Sequence, residues 1–300
     1  MEKDDSELFP EAPRIAPEML TECRESGNYC PVLFEWYKYT GLVCNFFARI
    51  QRQSPALRPI PAHHYHVLVG LLNRCCRLML ANVALSHEGL FGETTAIVDR
   101  CIFESAVKLV WLCEAPLHDR FERFTAEGLK TELEFRDTIN ANIAARDGGV
   151  LPIEKRMLVS IENHIQSSGV TFEEIAAAKK CPDLASMIDA LGHDRLLYLI
   201  GQKIGSHHVH GTWPSLRFHY LEENESGDLR PRDHDCDTHV NQYVFIPKIV
   251  LRAVEAFVRW VVADAEGQKA FLEVLESVHD EINAVNAEVV GDDFARARDV

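Results

Sequence analysis

The sequence has no Cys-x-x-Cys pair, no His-Glu-x-x-His, no Gly-x-Ser-x-Gly elbow, no Walker loop and no dinucleotide-binding glycine fingerprint. It therefore lacks the spacings that anchor a zinc ribbon, a zincin, an α/β-hydrolase nucleophile or a phosphate cradle. Nine cysteines are scattered without a framework, and the adjacent Cys75 and Cys76 cannot both face one partner from a helix. Free thiols in a reducing, cytoplasmic setting fit this pattern. Contiguous Lys/Arg runs are also missing, and 31 basic against 46 acidic residues leave a formal charge of −15. That balance disfavours RNA and anionic lipid as partners, since both depend on summed positive potential.

No apolar run follows a basic segment in MEKDDSELFPEAPRIAPEM, so residues 1–16 read as an acidic, Pro-containing, flexible tail and not as a signal or transit peptide. The most apolar long stretch, YVFIPKIVLRAVEAFVRWVVA, is interrupted by Lys248, Arg252, Glu255 and Arg259 and reads as a packed helix with no role in a membrane. Alternating runs bounded by Asn-Gly or Asp-Gly turns are missing, and no solenoid-length repeat is evident.

What remains is helical. Apolar residues make up 47% of the chain, enough to fill a sizeable core. Spacings of three and four run through residues 29–52, 63–87, 93–113, 117–146, 152–167, 182–191, 194–210, 241–265 and 268–289. The 93–113 segment is apolar nearly all round, as a central helix is. Thr171-Phe-Glu-Glu reads as a capping box before a short helix. The expected fold is all-α, a single domain of about eight to ten helices over residues 17–290, with a long irregular loop near 211–240 and a charged tail at 291–300. A loop that long in a compact domain is usually functional or disordered.

Two polar groups interrupt this pattern. In VDRCIFESAVKLVW, Arg100, Glu104 and Lys108 recur every four residues and share one helix face. In so apolar a helix they form either an internal Arg100–Glu104 ion pair or a ligand-binding stripe, because a buried charge must be paired. The second group is KIGSHHVHGTW. α-Helical phase puts His208 in a row with Leu196, Ile200 and Ile204, as a packed core residue, and brings Lys203, His207 and His210 together on another face. Gly211 after His210 also suits an ordinary helix end, and Gly201 and Gly205 suit close helix packing. A metal site would need further ligands. His219, His234, Cys236 and His239 are at hand in the loop, making His207, His210, His219, His234 and His239 a weak set, and no cofactor is otherwise indicated.

VDRCIFESAVKLVWL, followed by Ser206-His-His-Val-His-Gly-Thr212, resembles a family of uncharacterised bacterial proteins of unknown function, over about Leu33 to Trp260. More distantly the second segment resembles the helix end of HEPN proteins, all-helical and commonly homodimeric, whose active members cleave RNA without metal through an Arg-x4–6-His motif. His210 matches the motif histidine. Gly205 stands at the arginine position of the shortest version and Lys203 at that of the longest. The resemblance implies either a noncatalytic or degenerate protein that binds a partner or small ligand, or a ribonuclease of a toxin or phage-defence system. In the second case His210 is the acid/base, His207 its helper, and Lys203 or Arg100 meets the phosphate. Lys203 brings charge without a bidentate fork, which counts against the nuclease.

Overall fold

The computed structural model describes residues 9–114 and 119–290. Residues 1–8 of the expected N-terminal tail and all of 291–300 lie outside them. The helices, in chain order, are α1 (Pro17–Ser26), α2 (Cys30–Arg49), α3 (Ala62–Glu88), α4 (Gly92–Cys113), α5 (Asp119–Gly128), α6 (Lys130–Ala145), α7 (Pro152–Ser168), α8 (Phe172–Ala177) and α9 (Leu184–Ala190). There follow α10 (Arg195–Tyr198), α11 (Gly205–His210), α12 (Trp213–Ser215), α13 (Val240–Val261) and α14 (Ala265–Val290). The class is all-α. The described chain divides into two compact units, one from each side of the 115–183 segment and one within it.

In the first unit α2, α3, α4 and α13 pack in a ring, each against the next. Their inward faces supply Tyr37, Phe47, Leu68, Leu72, Met79, Phe103, Leu112 and Phe257, all buried. α14 closes on α2 and α13, where Phe271 meets Phe46 and Phe47. Phe9 joins that aromatic group and Tyr39 donates to Pro10 O at 3.2 Å, so the described end of the N-terminal segment is packed. The nine cysteines are free thiols. Among the described residues α3 is the one helix long and apolar enough to cross a membrane by composition, and its Leu68, Leu72, Cys75, Cys76 and Met79 are buried.

The second unit is held by Ile139, Ile161, Ile165 and Ile175 from α6, α7 and α8. Thr171 caps α8 as its spacing predicts: its hydroxyl accepts from Glu174 N at 3.2 Å while its own N–H donates to Glu174 Oε2 at 2.7 Å. The expected continuous helix over 117–146 is two helices, α5 and α6.

Two departures from the sequence reading shape the site. Between α10 and α11, Leu199–Ile204 winds as a π-helix. Its wider turn adds about one residue per revolution and resets the helical phase, a device concentrated at functional positions. The row Leu196, Ile200, Ile204 is exposed, and Lys203 is exposed while His207 is half-buried. The 211–240 stretch, expected to be irregular, holds α12, a second π turn (Leu216–Tyr220) and a small antiparallel hairpin, β1 (Leu221–Glu223) with β2 (Leu229–Pro231). The hairpin turn is closed by Asn224, whose Oδ1 accepts from Ser226 N and Asp228 N.

Candidate functional site

The π-helical segment and the start of α11 lie against α4 because each has a glycine where contact is closest. A β-carbon on Gly201 would stand 2.4 Å from the Phe103 ring, and one on Gly205 would stand 2.9 Å from Arg100 Cβ. Gly211 ends α11 in the left-handed region at φ 55°, and Thr212 N donates back to His207 O at 3.1 Å. The next residues then fold over the start of α4. Their seat is Gly92, whose N–H donates to Cys236 O at 2.8 Å and whose missing side chain admits the carbonyls of Cys236 and Asp237.

Between α4, the 199–220 stretch and α13 lies a cleft of about 540 Å³. Ala96, Ile200, Ile204, Phe218, Phe245 and Ile246 form its apolar walls, and Arg100, His207, His208, His219 and His239 its basic groups. With the Gln202 amide oxygen facing the guanidinium, Arg100 Nε and Nη2 donate to it at 3.2 and 2.8 Å. Each histidine engages a neighbour through Nδ1: His207 with Thr212 Oγ1 (2.7 Å), His208 with Ser215 Oγ (3.3 Å), His219 with Asp235 Oδ1 (2.6 Å) and His239 with Asn241 N (3.2 Å). Such second bonds fix ring orientation and leave Nε2 as the other nitrogen of each ring. His219 Nε2 is buried without a hydrogen-bond partner.

A polar network supports this wall. Buried Glu93, in the first turn of α4, accepts from the Ser215 and Tyr220 hydroxyls, and its N–H donates to Asp235 Oδ2 at 3.0 Å. Asp235 thereby caps an α4 N-terminus that has no side-chain cap of its own. The Glu93 hydrogen bond, with burial, pushes the Tyr220 phenol up to about 12. Burial and the neighbouring His219 ring, 5.0 Å away, lower His208. Burial opposes ionisation of Asp235, yet the His219 bond and two backbone N–H groups hold its carboxyl below the ordinary range.

Deeper on α4, Asp99 also borders the cleft. It is buried, accepting at Oδ1 from Tyr37 OH (3.1 Å) and Asn82 Nδ2 (2.7 Å), and its Oδ2 has no partner. Burial drives its carboxyl up to about 8 against the pull of those two bonds.

The sequence-derived candidates divide. Arg100 and His207 line the cleft; Glu104, Lys203 and His210 are not among its lining residues. Glu104 pairs with Lys108 at 2.6 Å and not with Arg100, since each helical turn of four gives Glu104 two basic neighbours and Gln202 takes the arginine. Lys203 and His210 are exposed, with Lys203 Nζ 5.9 Å above the Tyr198 ring. His208, expected in the core, is half-buried at the cleft. Of the five-histidine metal set, His207, His219 and His239 line the cleft while His210 and His234 are exposed and do not, and among the described residues no three of the five bring their ligand atoms together.

The model of DUF5677, a family of unknown function, matches residues 65–228. The chain belongs to this family. The matched span includes both the α4 Arg100-x-x-x-Glu104 segment and Ser206–Thr212, together with most of the cleft. No curated protein and no solved structure matches the chain.

Proposed function

We propose that this DUF5677 protein is a noncatalytic binding protein whose cleft takes a small organic acid, an apolar body carrying one anionic group. The observation that carries the reading is the convergence of Arg100 and oriented imidazoles on a largely apolar hollow of about 540 Å³. Apolar walls with a few fixed polar groups are the usual make-up of a small-molecule site. Arg100 gives the acid a charge-assisted partner, held in place by Gln202 and by close packing on Gly205. In this reading the distant HEPN likeness is that of a degenerate relative. The residues a metal-independent ribonuclease would use, His210 with Lys203, stand exposed outside the cleft, and the formal charge of −15 works against RNA.

Anilinonaphthalene sulfonate, an apolar anion, is a suitable probe. Fluorescence titration is expected to show one saturable site. Arg100→Leu should weaken it about ten-fold, or about 1.4 kcal/mol, the lower end for a hydrogen bond to a charge. His210→Ala should bind as the wild type does. Equal binding by wild type and Arg100→Leu removes the acid-binding reading. Cleavage of RNA in EDTA that His210→Ala abolishes would replace it with the nuclease.

A further inference from the structure

Beside the cleft, His219, Asp235 and Cys236 bring an imidazole nitrogen, a carboxylate oxygen and a thiol sulfur within 4.8 Å of one another. We propose that these three side chains bind a divalent transition metal, zinc by preference, with the fourth position left to water. The proposal does not depend on the cleft's taking an organic acid.

The donor set is one that zinc favours. Nitrogen, oxygen and thiolate sulfur together suit a borderline-soft ion, and three protein ligands with an open position are the pattern of an accessible zinc site. Tetrahedral bonds of about 2.0–2.3 Å separate ligand atoms by roughly 3.3–3.6 Å, within reach of this group. In the metal-free arrangement His219 Nδ1 and Asp235 Oδ1 close on each other at 2.6 Å, sharing a proton. The ion takes that proton's place. Neutral imidazole moves its proton to Nε2, the Cys236 thiol releases one proton to solvent, and imidazole, carboxylate and thiolate remain as ligands.

The surroundings hold the ligands from behind. Asp235 Oδ2 accepts from Glu93 N at 3.0 Å, Cys236 O accepts from Gly92 N at 2.8 Å, and Arg232 Nη1 donates to Cys236 Sγ at 3.1 Å. Outer contacts of this kind orient metal ligands, and the guanidinium offsets thiolate charge. Capping of α4 accounts for Asp235 alone; it requires neither the thiol nor the imidazole. His219 is almost wholly buried while Asp235 and Cys236 are partly exposed, so an ion has a route in.

Cobalt(II) titration of the chelator-treated, reduced full chain tests this. One equivalent should produce a thiolate-to-cobalt charge-transfer band with intense tetrahedral d–d bands, both erased by zinc. Cys236→Ser should lose the charge-transfer band, and Asp235→Asn should bind at least ten-fold more weakly. Absence of the band in the wild type, or the same band in Cys236→Ser, overturns the proposal. Should Cys236→Ser fail to fold, alkylation of the native protein decides: zinc protects Cys236 from iodoacetamide if the site exists, and equal labelling with and without zinc overturns it.

Discussion

Asp99→Asn is expected to flatten the pH dependence of stability between about pH 5 and pH 8. The native carboxyl titrates near 8, against an ordinary value of 3.8 for the unfolded chain. Between those values the folded protein holds a proton that the unfolded chain has released, so stability falls as pH rises. The contribution is complete below about 3.8 and lost as pH climbs through about 8. At about 1.4 kcal/mol per pH unit the whole span is worth on the order of 6 kcal/mol, and the interval from pH 5 to 8 about 4. Asparagine keeps an oxygen for Tyr37 and Asn82 to donate to, and it cannot ionise. Urea unfolding at several pH values should therefore show the variant gaining about 4 kcal/mol on the wild type over that interval. Parallel curves would mean that Asp99 is ionised in the native state.

Gly92→Ala should destabilise the first unit by about 2–3 kcal/mol, the upper part of the overpacking range. Its β-carbon would lie 2.7 Å from Asp237 O and 2.8 Å from Cys236 O, and backbone carbonyls cannot rotate away as a side chain can. The loop must lift, breaking the Gly92 N to Cys236 O bond and pulling Asp235 from the α4 N-terminus and from His219. Binding at both the cleft and the His219 group should weaken together. Thermal unfolding with a paired cobalt titration reads both effects, and a variant that melts and binds like the wild type would show that the loop does not rest on Gly92.

The framework helices were legible because they obey simple rules. α4 is apolar nearly all round and is buried as such, while α2 and α3 carry spacings of three and four and end near prolines or glycine. Arg100 and His207 were legible as polar residues in helical company. The cleft was not, for two physical reasons. Helical rows assume 3.6 residues per turn, and nothing local in LIGQKI announces the π turn, beside which His208 lines the cleft and Lys203 does not. The supporting residues Glu93, Ser215, Tyr220 and Asp235 meet across 122 to 142 residues of chain. Glu93 by itself reads as a dipole-complementing residue of a first turn. Asp235 reads as one of several acids in an aperiodic loop. The usable signal was the loop's density of His, Asp and Cys, which points to a cluster without giving its pairing.

The binding reading stands or falls on whether an apolar acid occupies the hollow beside α4. Ala96, half-buried on that helix, lines it, and Ala96→Trp should fill it while leaving the ring of α2, α3, α4 and α13 intact by circular dichroism. Isothermal titration of anilinonaphthalene sulfonate into the two proteins is the most direct measurement. One-to-one binding by the wild type and none by Ala96→Trp is the predicted result; equal binding by both would place the ligand elsewhere and contradict the account.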